Sequence, residues 1–234
     1  MSHTLYIVGT PIGNLEDVSP RALRVLREVA LIASENPTRT QRLLARYDIH
    51  TPMMRFTDAY ERKKKARLHA ALNALEGGDV AFVSEAGMPL LADPGYELIQ
   101  AALARGIEVL PIPGPTALTA ALAASGLPTV PFVFLGFPPR RSEGRRKLFR
   151  EFVADERTLV VYESPSRLVE ALRDAWAELG ERQVAVACEL TKLYESIWRG
   201  PLSEAAAHYE VNGPRGEYVI VLGGTPEGGH GRTG

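Results

Sequence analysis

The sequence predicts an α/β protein of two domains, with a mainly parallel sheet in the N-terminal one and a mixed sheet in the C-terminal one. Three observations predict it. Short apolar runs alternate with amphipathic helical stretches through the first half, the pattern of a parallel sheet with right-handed crossovers. Pro111 to Pro115 (PIPGP) punctuates the middle of the chain, and the domain boundary is placed near Pro113. In the last third, the apolar runs at 195–200 and 217–222 have no long helical crossover to a parallel partner, which implies antiparallel pairing there.

The elements follow in order. Residues 5–9 read as a strand. Residues 20–29 read as a helix, with Ser19 as N-cap and Pro20 at the first helical position. A strand at 31–34 precedes helices at 38–47 and 60–75, the latter ended by Gly77-Gly78. Residues 80–84 form the strongest strand of the first half. A helix at 96–104 is stopped by Gly106, and a strand follows at 107–112. Residues 116–124 read as a small-residue helix. Beyond it come a strand at 132–135, a basic helix at 145–153, a strand at 158–162, a helix at 166–179 and a strand at 183–188. A strand at 196–199, a helix at 203–209 and a strand at 218–222 complete the pattern. The Gly-rich stretch 224–234 is expected to be a disordered tail, which leaves domains at 1–113 and 114–223.

Composition narrows the class. Apolar residues make up 45% and charged residues 24% of 234, and the net charge is −1, so there is no global attraction to nucleic acid. Charge is local instead. Residues 140–150 (RRSEGRRKLFR) hold six basic residues against Glu143, after the turn Gly136-Phe-Pro-Pro139, and are expected to bind phosphate. Residues 61–67 (ERKKKAR) read as a solvated helix face. No apolar run approaches the ~20 residues of a membrane span. The start of the chain lacks a cleavable signal pattern. The single cysteine, Cys188, excludes an internal disulfide framework and sits in an apolar run as a buried thiol. The expectation is a cytoplasmic protein with no membrane partner.

Three strand ends carry Gly/Pro-built loops: GTPIGN at 9–14, SEAGMPLLADPG at 84–95 and the segment from Pro111. Parallel sheets bind ligands at the carboxyl ends of their strands. The first loop is neither G-x-G-x-x-G nor a phosphate P-loop, and Pro11 removes an amide that a phosphate cradle would use. The five histidines are scattered, so no metal is expected, and G-x-S-x-G is absent. What remains is a pocket of backbone, small side chains and apolar contacts, suited to a nucleoside-like cofactor with an amino-acid tail. Gly87 and Gly114 would allow close approach. Thr116 and Ala117 open a helix whose free amides can accept a carboxylate. Tyr162-Glu-Ser-Pro165, Glu189-Leu-Thr-Lys192 and Gly216-Glu-Tyr218 each place a carboxylate at a strand end, and each reads equally as a helix cap or a salt-bridged rim.

Taken in order, YIVGTPIGNLEDVSPRAL, VAFVSEAGMPLLADPG, VLPIPGPTALTAALAASGLPT, FLGFPPR, TLVVYESPSRL, ELTK and GEYVIV resemble the small-subunit (16S) ribosomal RNA 2′-O-ribose cytidine methyltransferases of the tetrapyrrole methylase superfamily. The resemblance spans about residues 5–222. It implies a tetrapyrrole methylase-like fold, a homodimer, and S-adenosylmethionine bound in a cleft between the domains. It implies cofactor contacts from Pro11, Gly13, Gly87, Met88, Pro89, Leu90, Leu91, Thr116, Ala117, Tyr162, Leu190, Glu217 and Tyr218. The acceptor would be a cytidine 2′-hydroxyl in the decoding region of the small ribosomal subunit. Glu163, Glu189 and Glu85 are then candidate proton acceptors, with Lys192 activating the hydroxyl or holding a phosphate. Arg39, Arg140, Arg141, Arg145, Arg146 and Lys147 are candidate RNA contacts. The chain departs from the family pattern at Asn36, Pro37, Glu85 and Met88. The alternatives are a tetrapyrrole C-methyltransferase and a catalytically impaired protein that binds S-adenosylmethionine or RNA.

Overall fold

The computed structural model describes residues 3–57 and 61–225. Two compact units divide between Thr116 and Ala117.

The first unit is a five-stranded, all-parallel sheet. Its strands are β1 (Thr4–Val8), β2 (Leu31–Ser34), β3 (Met53–Arg55), β4 (Val80–Val83) and β5 (Glu108–Ile112). They lie in the order β3-β2-β4-β1-β5. Helices α1 (Pro20–Glu28), α2 (Pro37–Arg46), α3 (Glu61–Gly77) and α4 (Tyr96–Ala104) connect them. The side chain of Ser19 accepts the Ala22 amide at 3.0 Å, and Pro20 fills the first turn, as the sequence predicts. Strand alternation splits the core. Val8, Ala81 and Val83 face α1 and α2, whereas Leu5, Ile7 and Phe82 face α3 and α4. The four residues of β4 are fully buried, which is why its apolar run is unbroken.

Helix α1 therefore leaves β1 toward one face, and α4 leaves β4, its neighbour, toward the other. Such a reversal opens the crevice in which parallel sheets hold ligands.

The second unit begins with α5 (Ala117–Ala124). Its sheet comprises β6 (Phe132–Phe134), β7 (Thr158–Glu163), β8 (Gln183–Cys188), β9 (Ser196–Pro201) and β10 (Tyr218–Leu222), in the order β6-β7-β10-β8-β9. Only β6 and β7 are parallel; the remaining pairs are antiparallel. Helices α6 (Ser142–Arg150), α7 (Leu168–Leu179) and α8 (Leu202–Asn212) share a core with Leu159, Val161, Val184, Val186, Ile220 and Leu222. Helix α5 packs against β7 and β10.

Three readings need correction. Strand β3 was not expected: its three residues at the sheet edge, two half-buried and one exposed, have too little apolar pattern to declare it. The basic helix starts at Ser142, not Arg145, and ends at Arg150. The expected tail is fixed at its start. Gly223 N–H donates to the Gln183 carbonyl at 2.8 Å and Thr225 N–H to that of Asp155 at 2.9 Å. The buried Arg182 guanidinium donates to the carbonyls of Phe152, Val153 and Gly223 and to the Thr225 hydroxyl. The rest of that expectation, at 226–234, lies outside the described residues, as does Tyr60 of the predicted third helix.

Candidate functional site

In the first unit, the loops after β1, β4 and β5 meet through their backbones. Thr10 N–H donates to the Gly87 carbonyl at 2.9 Å and Gly87 N–H to that of Thr10 at 3.0 Å. Gly9 stands against Gly114, where a Cβ added to either would come within 2.7 Å of the other's backbone. Gly87 takes φ +78°, and Leu90 and Ala92 take φ +74° and +66°, which non-glycine residues rarely adopt. Such strain persists where the surroundings over-determine it, commonly at a ligand site. Pro11, Gly13, Gly87, Met88, Pro89, Leu90, Leu91 and Thr116 all belong to these loops or border them.

The departures at Asn36 and Glu85 touch each other. Asn36 Nδ2 donates to Glu85 Oε2 at 3.0 Å, and Arg39 Nε lies 3.0 Å from Glu85 Oε1. Asn36 also caps α2 by accepting the Arg39 amide, and Pro37 occupies its first turn. The added methylene of Glu85 is thus spent on reaching this helix start. Glu85 N–H donates to Glu35 Oε2 at 2.9 Å. Asp93, which the sequence reading left without a role, joins this group. Burial pushes its carboxyl up to about 6; the Ser84 hydrogen bond opposes the rise, and the Glu35 and Glu85 charges add to it.

In the second unit, antiparallel register places Tyr218 opposite both Glu163 and Cys188. The carboxyl ends of β7 and β8 and the start of β10 therefore converge. Three segments that sequence alone treats separately become one edge. Glu163 is buried. Its Oε1 accepts the Ser164 amide at 2.7 Å and pairs with Arg167 at 2.6 Å, while its Oε2 is buried with no hydrogen-bond partner among the described residues. Glu189 Oε1 accepts from Lys192 Nζ and from the Glu217 amide, both at 2.9 Å. Lys192 also pairs with Glu217 at 2.8 Å. Burial works against the Lys192 charge, but the two carboxylates outweigh it and raise its pKa. Leu190 is buried beside this pair.

Tyr162 Oη accepts the Leu118 amide at 3.0 Å, so one of the helix-start amides after Thr116 and Ala117 is already engaged. That hydrogen bond could not be foreseen from sequence.

The basic segment is corrected in part. Arg145 is fully buried, donates to Asp174 at 2.6 Å and to the Arg140 carbonyl at 3.1 Å, and cannot face RNA. Arg146 and Arg150 both hold Glu178, at 2.6 and 2.8 Å. These bonds, Arg150's first, draw the Glu178 carboxyl down to about 2. Helical spacing explains the division: the face that packs on α7 uses its cations internally. Arg140, Arg141 and Lys147 remain exposed, with no side-chain partner among the described residues. Arg39 is half-exposed and committed to Glu85. Among the described residues no group of three or more potential ligands could hold a metal ion, and no helix is long and apolar enough to cross a membrane.

A family model described as tetrapyrrole (corrin/porphyrin) methylases matches residues 4–206. Ribosomal RNA small subunit methyltransferase I of Thermotoga maritima is 48% identical over 221 residues, covering 94% of this chain and 98% of that protein. The protein of the same name from Pseudomonas aeruginosa is 46% identical over 231 residues, covering 96% and 81%. Among solved structures, a cobalt precorrin-4 methyltransferase superposes with a TM-score of 0.69 at 18% identity, over 94% of each chain. The uroporphyrin-III C-methyl transferase of Thermus thermophilus, complexed with S-adenosyl homocysteine, gives 0.66 at 21% identity, over 94% and 97%. At these identities the two structures speak for the fold alone.

Proposed function

The chain belongs to the tetrapyrrole methylase family, and on that premise we propose that it methylates the ribose 2′-hydroxyl of a cytidine in the decoding region of small-subunit ribosomal RNA. The observation that carries this reading is the 48% identity to a small-subunit rRNA methyltransferase across nearly the whole of both chains. The tetrapyrrole methyltransferases share the fold at 18–21% identity, which favours them less.

S-adenosylmethionine supplies, when bound, an electrophilic sulfonium methyl group. The first unit fits such a ligand. Its crossed loops offer backbone amides and carbonyls, small residues and apolar side chains, and the Arg39 cation beside them is already neutralised by Glu85. That donor set suits an uncharged nucleoside better than phosphates. Pro11, Gly13, Gly87, Met88, Pro89, Leu90, Leu91 and Thr116 would hold it there, and Ala117, Tyr162, Leu190, Glu217 and Tyr218 are carried from the family pattern as further contacts.

Methyl transfer to a hydroxyl needs alignment and a proton acceptor. We assign the acceptor to Glu163, whose side chain is closed to solvent in this structure and would have to be uncovered by the bound RNA. Arg167 and the Ser164 amide fix its Oε1, and Oε2 is left with an unused acceptor position at a cost that a bound hydroxyl would relieve. Glu85 and Glu189 are less suited, because Asn36, Arg39, Lys192 and the Glu217 amide already occupy them. Lys192 is held as an ammonium between two carboxylates and would act on charge rather than on protons. Arg140, Arg141 and Lys147 would meet the RNA backbone. A cytoplasmic homodimer completes the reading.

The test is transfer of a tritiated methyl group to small subunits that lack the modification, followed by mapping of the labelled nucleotide. Label in a cytidine 2′-O-methyl group is expected. Tight cofactor binding with no label in RNA would overturn the reading. Glu163→Gln should lower kcat by about 10²- to 10⁴-fold with cofactor affinity unchanged.

A further inference from the structure

Phe137 is 55% exposed, although it lies in the loop between β6 and α6, a few residues from the core. Its ring is not loose. It meets the edge of Tyr162, with centroids 5.5 Å apart and planes at 63°, and Tyr162 in turn meets Phe134 at 4.9 Å. The Tyr162 amide donates to the Gly136 carbonyl at 2.8 Å, which ties the residue before Phe137 to the strand that carries Glu163. The residue after it is tied as well: Arg167, the partner of Glu163, donates to the Pro138 carbonyl at 3.5 Å. Pro138 and Pro139 then fix their own φ, and Arg140 and Arg141 follow directly, the exposed cations with no side-chain partner among the described residues.

What sets Phe137 apart from the other exposed apolar residues is its fixed ring orientation, three positions before the exposed guanidinium groups of Arg140 and Arg141. The arrangement has the composition of a single-stranded RNA site, in which unstacked bases lie on aromatic faces and cations track the phosphates. Resting on the RNA-methylation reading above, we propose that Phe137 is an RNA-contact residue: its free face stacks an unpaired nucleobase of the RNA and thereby fixes the register of the strand on Arg140, Arg141 and Lys147. Charge complementarity with Arg140, Arg141 and Lys147 selects RNA over an apolar protein partner.

The experiment compares wild type with Phe137→Leu, which keeps an apolar side chain but removes the π face, and Phe137→Trp, which enlarges it. Small subunits lacking the modification are the substrate, and S-adenosylmethionine affinity is measured in parallel by calorimetry. Phe137→Leu should raise KM for the RNA by about 5- to 150-fold, the range of a lost base stack, with cofactor Kd unchanged. Phe137→Trp should hold KM near the wild-type value, and its added indole fluorescence should be quenched on RNA binding. A wild-type KM in Phe137→Leu, or an unquenched indole, would overturn the stack. So would a weaker cofactor Kd, which would assign the ring to the cofactor, or a changed molecular mass in light scattering, which would assign it to a contact between copies. No transfer by the wild type itself would instead overturn the underlying reading.

Discussion

The two units present their strand ends in opposite ways. In the first, the candidate site is made of backbone: Gly9 against Gly114, Thr10 bonded to Gly87, and a loop with four positive-φ residues at 87, 90, 92 and 95. In the second it is made of side chains in charged pairs: Glu163 with Arg167, and Glu189 with Lys192 and Glu217. A parallel sheet delivers neighbouring loops to one end and lets them cross closely. A mixed sheet brings the end of one strand beside the start of the next, so carboxylates from distant segments meet there and require cations. The first construction offers a shape and the second offers charge.

The contrast can be broken by substitutions, the most damaging first. Arg167→Ala strips the cation from a buried carboxylate and should destabilise the protein by about 3–5 kcal/mol in urea unfolding. Adding Glu163→Gln should recover part of that loss; no recovery would mean that Arg167 acts through packing rather than charge. In the first unit a single methyl group should be enough. Gly114→Ala forces a Cβ into the Gly9 backbone and should cost about 1–3 kcal/mol, with weaker S-adenosylmethionine binding by calorimetry. Full retention of affinity would remove the crossed glycines from the site. Tyr162→Phe removes the hydroxyl that accepts the Leu118 amide and should cost about 0.5–1.5 kcal/mol.

Two further effects are pH slopes of opposite sign. Asp93 has a folded pKa of about 6 against an ordinary 3.8, so wild type should lose stability as pH rises between these values. Asp93→Asn should abolish that loss and be the more stable form at pH 8. Glu178 is displaced the other way, to about 2 from 4.5, so its contribution is present above 4.5 and lost as pH falls toward 2. Glu178→Gln should flatten the acid limb alone. Denaturant midpoints across pH would show both, and equal slopes in the two variants would contradict this assignment.

Much of the architecture was legible because its signals are local. Ser19-Pro20 starts a helix by a side-chain cap and a fixed φ, and the run Val80–Val83 has to be a strand buried on both faces. The Gly/Pro loops stood out because few other residues take their conformations readily. The edge strand β3 was missed because three residues, none of them buried, leave no pattern. Arg145 was misassigned because a basic cluster in sequence does not reveal which helix face packs on α7, where Asp174 waits. Asn36 and Glu85 looked like two separate departures; they are 49 positions apart, and only the parallel pairing of β2 with β4 puts them in contact.

By itself, then, the sequence determined which segments are helix, strand and glycine loop, and through its motifs the family. These follow from backbone preferences and the spacing of apolar residues, which act over a few positions. The tertiary structure decided which charges are spent and which are free. It buried Arg145 and exposed Arg140 and Arg141, occupied Glu85 and Glu189, and left Glu163 with one buried oxygen unused. A charge is neutralised by whatever the fold brings within about 4 Å of it, and register between distant strands, which no local pattern encodes, sets that distance.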